Sequence, residues 1–147
     1  MEKITERQKQ IYEGTADMPL LIFPEGTISS GRCLLEFKKG AFDGLYPLKP
    51  YIIRNRNRNF DLSGGSINLL AHVFIFLSHL WHNIEVMELP ILSPNEFMFS
   101  NSGNPKIEKW EIYANTAKSI MSEIGDLEKS TKSFKENLEY SKKLYNK

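Results

Sequence analysis

Cysteine is nearly absent: Cys33 is the only one in 147 residues. A lone cysteine excludes an internal disulfide and a cysteine-rich zinc site, and it fits a reducing compartment. Net charge is nearly absent too. Nineteen Lys and Arg against eighteen Asp and Glu leave a formal +1. The chain as a whole therefore has no electrostatic pull toward nucleic acid or an acidic membrane, and any charged partner must be read by a local cluster. The apolar stretch at residues 67–81 is broken by Asn68, His72, Ser78 and His79. As a helix it would reach about 22 Å, short of a ~30 Å hydrocarbon core. It is expected to be a buried or interface-lying helix rather than a spanning one. The opening Met-Glu-Lys-Ile-Thr-Glu-Arg is charged and has no apolar h-region, so no signal peptide is expected there.

What is present suffices for a core. Hydrophobic residues make up 41% of the chain and aromatics 12%, which argues against global disorder. Residues 3–13 read as a helix and 19–23 as the first strand. Residues 27–32 read as a polar loop, with a turn in Ser29-Ser30-Gly31. A second strand is expected over 45–54, at an edge or strand end because Pro47 and Pro50 flank Leu48 and Lys49. A turn at 61–66 leads to the apolar helix, and alternation of Ile84, Val86, Met87, Leu89 and Ile91 predicts a third strand over 83–92. Ser93-Pro94-Asn95-Glu96 has capping-box spacing with proline at the first helical position. Asn104-Pro105 opens a further helix whose Ile107, Trp110, Ala114, Ala117, Met121 and Ile124 share a face, and Gly125 ends it. From Asp126 the chain turns Lys-, Glu- and Ser-rich. The expectation is an α/β domain over residues 1–125, a partial mixed β-sheet flanked by helices. Residues 126–147 are expected to form a charged helical or flexible tail.

The chemistry gathers at Phe23-Pro24-Glu25-Gly26-Thr27. An apolar run ends at Pro24, and a carboxylate, a glycine and a hydroxyl follow on the turn, where ligands of open α/β sheets sit. Gly26 lets backbone approach a ligand, while Glu25 and Thr27 offer an acceptor and a donor to hydroxyl groups. Phe37-Lys38-Lys39-Gly40-Ala41-Phe42 and Tyr46-Pro47-Leu48-Lys49-Pro50 follow. In that order the three blocks resemble the glycerolipid and lysophospholipid acyltransferase family: its third motif, the segment after it, and its fourth motif. The resemblance runs from about Arg7 to Ile124 and implies the C-terminal portion of such a domain. It implies a larger mixed sheet whose first strands lie upstream of Met1. It also implies that Glu25, Gly26 and Thr27 hold the hydroxyls and head group of the acceptor. Many family members carry arginine after Glu-Gly-Thr. Ile28 stands there instead, as in the lysophosphatidylcholine and related glycerol-phosphate acyltransferase branches, so Lys38 or Lys39 is left to meet a phosphate.

Acyl transfer to an alcohol needs a general base, usually a histidine held by an acid partner. In the resembled family this is His-x4-Asp, ahead of the Glu-Gly-Thr block. His72, His79 and His82 all follow that block, and Leu77, Ile84 and Met87 stand where the aspartate would fall. They read as packing or interface histidines, and no catalytic residue is expected among the 147. Arg54, Arg56 and Arg58 alternate with asparagines, so an extended backbone puts all three on one face. They are either a solvated loop or a contact for lipid or coenzyme A phosphates. No aromatic interleaves them, which argues against nucleic acid. No bound cofactor or metal is expected; acyl-CoA enters as the co-substrate of the complete family enzyme. The expected partners are a lysophospholipid or glycerol phosphate, a membrane surface, and a chain supplying the N-terminal half if upstream sequence does not. An intracellular, membrane-associated setting follows from the resemblance, with the endoplasmic reticulum as the family expectation. The rival reading is a non-catalytic family member serving as a lipid-binding or assembly module.

Overall fold

The computed structural model describes residues 2–27, 33–56, 69–100, 107–131 and Glu136. Helix α1 (Glu2–Tyr12) has Glu2 in its first turn and Lys9 in its last, which suits the helix dipole. It stops at Gly14, whose φ of +72° an L side chain rarely adopts. The helix buries no residue fully. It docks through Gln8, whose Nε2 donates to the Ala41 carbonyl at 2.9 Å.

Residues 19–23 form no strand. A strand needs a ladder partner for its backbone N–H and C=O groups, and none runs beside this segment among the described residues. Leu21 and Phe23 stay exposed. Apolar content alone predicted the strand and could not supply its neighbour.

Strand β1 (Cys33–Leu34) leads through buried Phe37 and a single 3₁₀ turn (Lys39–Ala41) to Phe42, which is 2% exposed. Strand β2 (Tyr51–Asn55) pairs antiparallel with β3 (Ile84–Glu88), Tyr51 opposite Glu88 and Asn55 opposite Ile84. The expected strand over 45–54 thus shrinks to its second half. Pro47 and Pro50 have no N–H to give a ladder, and before Tyr51 only an isolated bridge, Leu48 with Leu92, survives. Between the two strands lies α2 (Leu69–Ser78), and none of its described side chains is buried. Leu70, Phe74 and Leu77 are exposed, as are Leu80 and Trp81 just beyond, so the buried alternative does not hold among the described residues. Among them, no helix is long and apolar enough to cross a membrane.

Helix α3 (Glu96–Ser100) starts later than the Ser93-Pro94 signal predicts. Asn95 caps it, its Oδ1 accepting the Met98 N–H at 2.8 Å. Helix α4 (Lys109–Gly125) likewise begins after Asn104-Pro105, which lie outside the described residues, and Ile107 precedes it. It ends at Gly125 as expected, with Asp126 in the left-handed region. The chain past it is not solvated at once. Leu127 is buried, and β4 (Glu128–Lys129) pairs parallel with β1. Residues 28–32, 57–68 and most of the tail lie outside the described residues, including the turns expected at 29–31 and 61–66.

The architecture is mixed α/β: helices with two small sheets, one parallel and one antiparallel. One side of α4 (Tyr113, Ala114, Ala117, Met121) closes the core against Leu34, Phe37, Phe42, Ile52 and Leu89. Ile124, expected on that face, is exposed at the helix end. Tyr113 sits at the centre with no exposed surface. Its ring meets Phe42 edge-on at 5.5 Å, and its hydroxyl donates toward the carbonyls of Leu92 at 2.8 Å and Tyr46 at 3.0 Å. Burial pushes its phenol up to about 12.

Candidate functional site

Residues 23–27 form a turn. The Gly26 N–H donates to the Phe23 carbonyl at 3.0 Å, and the Gly26 φ of +66° is left-handed. Two bonds tie this turn to the segment after β1. The half-buried Glu25 accepts the Leu35 N–H at 3.2 Å, and the Pro24 carbonyl accepts the Lys38 N–H at 2.8 Å. The first two sequence blocks are therefore one structural unit. The Lys38 side chain crosses the face of Gly26: a Cβ there would overlap the ammonium and stand 2.8 Å from Cε. The left-handed angle favours glycine, and the missing Cβ leaves room for the end of the Lys38 side chain. Glu25, Gly26 and Lys38 are thus brought together, with half-buried Thr27 next in the chain.

The adjacent lysine is placed elsewhere. Lys39 Nζ donates to Glu108 at 3.0 Å, lies 3.4 Å from Asp43, and sits 5.6 Å from the centre of the Trp110 ring. Its hydrogen bonds, that to Glu108 foremost, hold the ammonium above its ordinary range. Lys39 and the Trp110 indole in turn hold the Glu108 carboxyl below its own. Lys39 clasps the 3₁₀ turn to the start of α4, while Lys38 lies over the motif turn.

Of the arginine cluster, Arg54 lies in β2 opposite Glu85. Arg56, one residue past the strand, donates from Nε to the Glu85 carboxylate at 2.7 Å. Arg58 lies outside the described residues. The histidines stay on or beside α2: His82 stacks on Phe76 at 4.1 Å, and His79 Nδ1 donates to the Ile75 carbonyl at 2.8 Å. Two open hollows of about 440 and 380 Å³ run along α1, lined mainly by charged side chains such as Glu2, Glu6, Arg7 and Lys9. They lack the apolar lining of a ligand pocket, and Glu25 lines neither.

Sequence reasoning passed over one residue, Lys118. It stands on the buried side of α4, 9% exposed, and its Nζ donates to the Ser130 carbonyl at 2.6 Å. Burial lowers its pKa, while the charges of Glu36, Glu25 and Cys33 oppose the shift. The signal was a lysine four residues after Ala114 and three before Met121, inside an otherwise apolar stripe.

Residues 1–53 match the family model described as Acyltransferase. The chain is 39% identical over 83 residues to lysophospholipid acyltransferase LPEAT2 of Arabidopsis thaliana, covering 56% of this chain and 15% of that protein. It is 27% identical over 124 residues to LPEAT1 of the same plant (84% and 29%), and 28% identical over 127 residues to human lysophosphatidylcholine acyltransferase 1 (82% and 22%). The resemblance read from the three blocks is borne out: the chain is similar to lysophospholipid and lysophosphatidylcholine acyltransferases over most of its length. It spans under a third of the length of each of these three relatives. No solved structure matches it significantly.

Proposed function

We propose that this chain grips the polar acceptor in an acyl-CoA-dependent lysophospholipid or glycerol-phosphate O-acyltransferase. The Lys38 ammonium over Gly26, the residue that follows Glu25, is the observation that carries this reading. It sets an anion-pairing donor and a hydroxyl acceptor on one turn, matching a phosphate and a glycerol hydroxyl on one acceptor. Thr27 adds a hydroxyl. In the complete reaction a histidine takes the proton from the acceptor hydroxyl. The hydroxyl oxygen attacks the thioester carbonyl, and the coenzyme A thiolate leaves with the proton. That histidine belongs to a His-x4-Asp pair, which these 147 residues do not contain. A longer form of this polypeptide or a separate chain supplies it. The setting is an intracellular membrane surface, the endoplasmic reticulum by family expectation.

The test is equilibrium binding of a lysophospholipid below its micellar concentration, with the matched monoacylglycerol as control. Binding that needs the phosphate and falls in Lys38→Ala and Glu25→Gln supports the reading; indifference to both substitutions refutes it. Incubation with acyl-CoA and lysophospholipid yields no phospholipid, and turnover by the chain alone would show that the base lies within it.

The exposed, uncharged α2 favours a second reading, a non-catalytic lipid-binding module that rests on a bilayer through this helix. Liposome flotation addresses it. Binding that survives Lys38→Ala but fails when Phe74 and Leu77 become serine favours the module. A triple alanine variant at Arg54, Arg56 and Arg58 reports whether that cluster meets lipid phosphates.

A further inference from the structure

We propose that Lys118 is a positioning residue for the acceptor turn: its buried ammonium fixes the β1–β4 clamp from which Glu25 is held. This rests on the reading of Glu25 as an acceptor contact. The bonds run in sequence. Lys118 Nζ donates to the Ser130 carbonyl at 2.6 Å, and the Ser130 N–H donates to the Leu34 carbonyl at 2.9 Å. The next N–H in the chain, that of Leu35, donates to Glu25 at 3.2 Å. The motif carboxylate is thus tied to residues late in the chain through two short strands that pair over only two residues each. A ladder that short is marginal unaided.

The choice of residue is the second argument. The neighbours of Lys118 on the buried side of α4 are Tyr113, Ala114, Ala117, Met121 and Ser122, and packing alone would favour another uncharged side chain. A buried cation is costly unless it is hydrogen-bonded and faced by opposite charge. Lys118 has both, for besides the Ser130 bond it feels the charges of Glu36 and Glu25, with Lys129 opposing them.

Lys118→Met keeps the length and apolar stem while removing the charge, and Lys118→Arg keeps the charge. Two readouts separate positioning from bulk stability. The first is hydrogen exchange of the Leu35 amide, which follows the Glu25 bond without any lipid: it quickens in Lys118→Met relative to core amides of α4 and is restored in Lys118→Arg. The second is lysophospholipid affinity per folded molecule, which falls roughly tenfold in Lys118→Met, about the worth of one charge-assisted hydrogen bond. That loss disappears when both variants carry Glu25→Gln. Unchanged Leu35 exchange, or an affinity loss that persists in the Glu25→Gln background, overturns the proposal. Should Lys118→Met not fold, Lys118→Arg decides alone: a folded arginine variant with lost Leu35 protection is contrary to it. If the unaltered chain binds no lysophospholipid while Leu35 exchange responds as stated, the functional reading fails and the positioning role of Lys118 stands.

Discussion

Removing the Tyr113 hydroxyl tests whether α4 holds the third sequence block, Tyr46-Pro47-Leu48-Lys49-Pro50, in place. The phenol is fully buried, and its single proton lies between the carbonyls of Leu92 and Tyr46, at 2.8 and 3.0 Å. Tyr113→Phe keeps the ring against Phe42. Leu92 still accepts the Leu48 N–H at 3.0 Å, so the Tyr46 carbonyl is the group that loses its donor. Tyr46 is half-buried, so leaving its carbonyl unpaired costs at most about 1–3 kcal/mol, the figure for a buried acceptor. With a urea dependence of about 1–3 kcal/mol per molar, the unfolding midpoint falls by up to roughly 1 M. The alkaline limb is the more discriminating readout. An unfolded tyrosine ionises near 10, whereas burial pushes Tyr113 up to about 12. Above pH 10 the unfolded chain releases a proton that the folded chain keeps, so stability that is complete below pH 10 declines as pH rises through 12. Two pKa units correspond to about 3 kcal/mol. Urea titrations from pH 7 to 11.5, followed by tryptophan fluorescence, should show this decline in the unaltered chain and a shallower one in Tyr113→Phe. Parallel declines would refute the buried-phenol argument, and an unmoved midpoint at pH 7 would refute the bond.

Lys39→Ala should leave lysophospholipid binding at its starting value while Lys38→Ala lowers it, because Lys39 is engaged by Glu108 and Asp43; equal losses in a binding titration would return Lys39 to the site. Gly125→Ala puts a methyl 2.7 Å from Ile52 Cδ1 and 3.2 Å from Leu127 Cδ1. Overpacking of that kind costs about 1–3 kcal/mol, read as a lower urea midpoint, and an unchanged midpoint would mean that Ile52 swings aside freely. Gly26→Ala meets both a left-handed φ and the Lys38 side chain. Lipid affinity should therefore fall while the midpoint drops by only about 1 kcal/mol equivalent; full affinity would show that Lys38 need not lie over the turn.

The parts of this molecule legible from sequence were those set by neighbours close along the chain. The α1 span, the end of α4 at Gly125 and the position of β3 depend on local period and local breakers, and each appears within a few residues of its expected place, although Ile84 and Val86 of the β3 alternation are exposed. What sequence reasoning missed depends on partners distant in the chain. Residues 19–23 have strand-like composition but no adjacent strand among the described residues, whereas Cys33–Leu34 and Glu128–Lys129 look unremarkable and pair with each other across more than ninety residues. The same division runs through the site. That Glu25, Gly26 and a following lysine form a group was readable from the motif, but which lysine was not. Lys38 and Lys39 differ by one position, and only a contact made 69 residues away, from Lys39 to Glu108, separates them. Lys118 was hidden by the opposite habit of reading. Lysine is most often solvent-exposed, so a lysine within an apolar stripe is not by itself a signal of burial. A charged residue in register with a buried face requires a partner for its charge, and seeking that partner leads from α4 through β4 and β1 to the Glu25 carboxylate on the turn at residues 23–27.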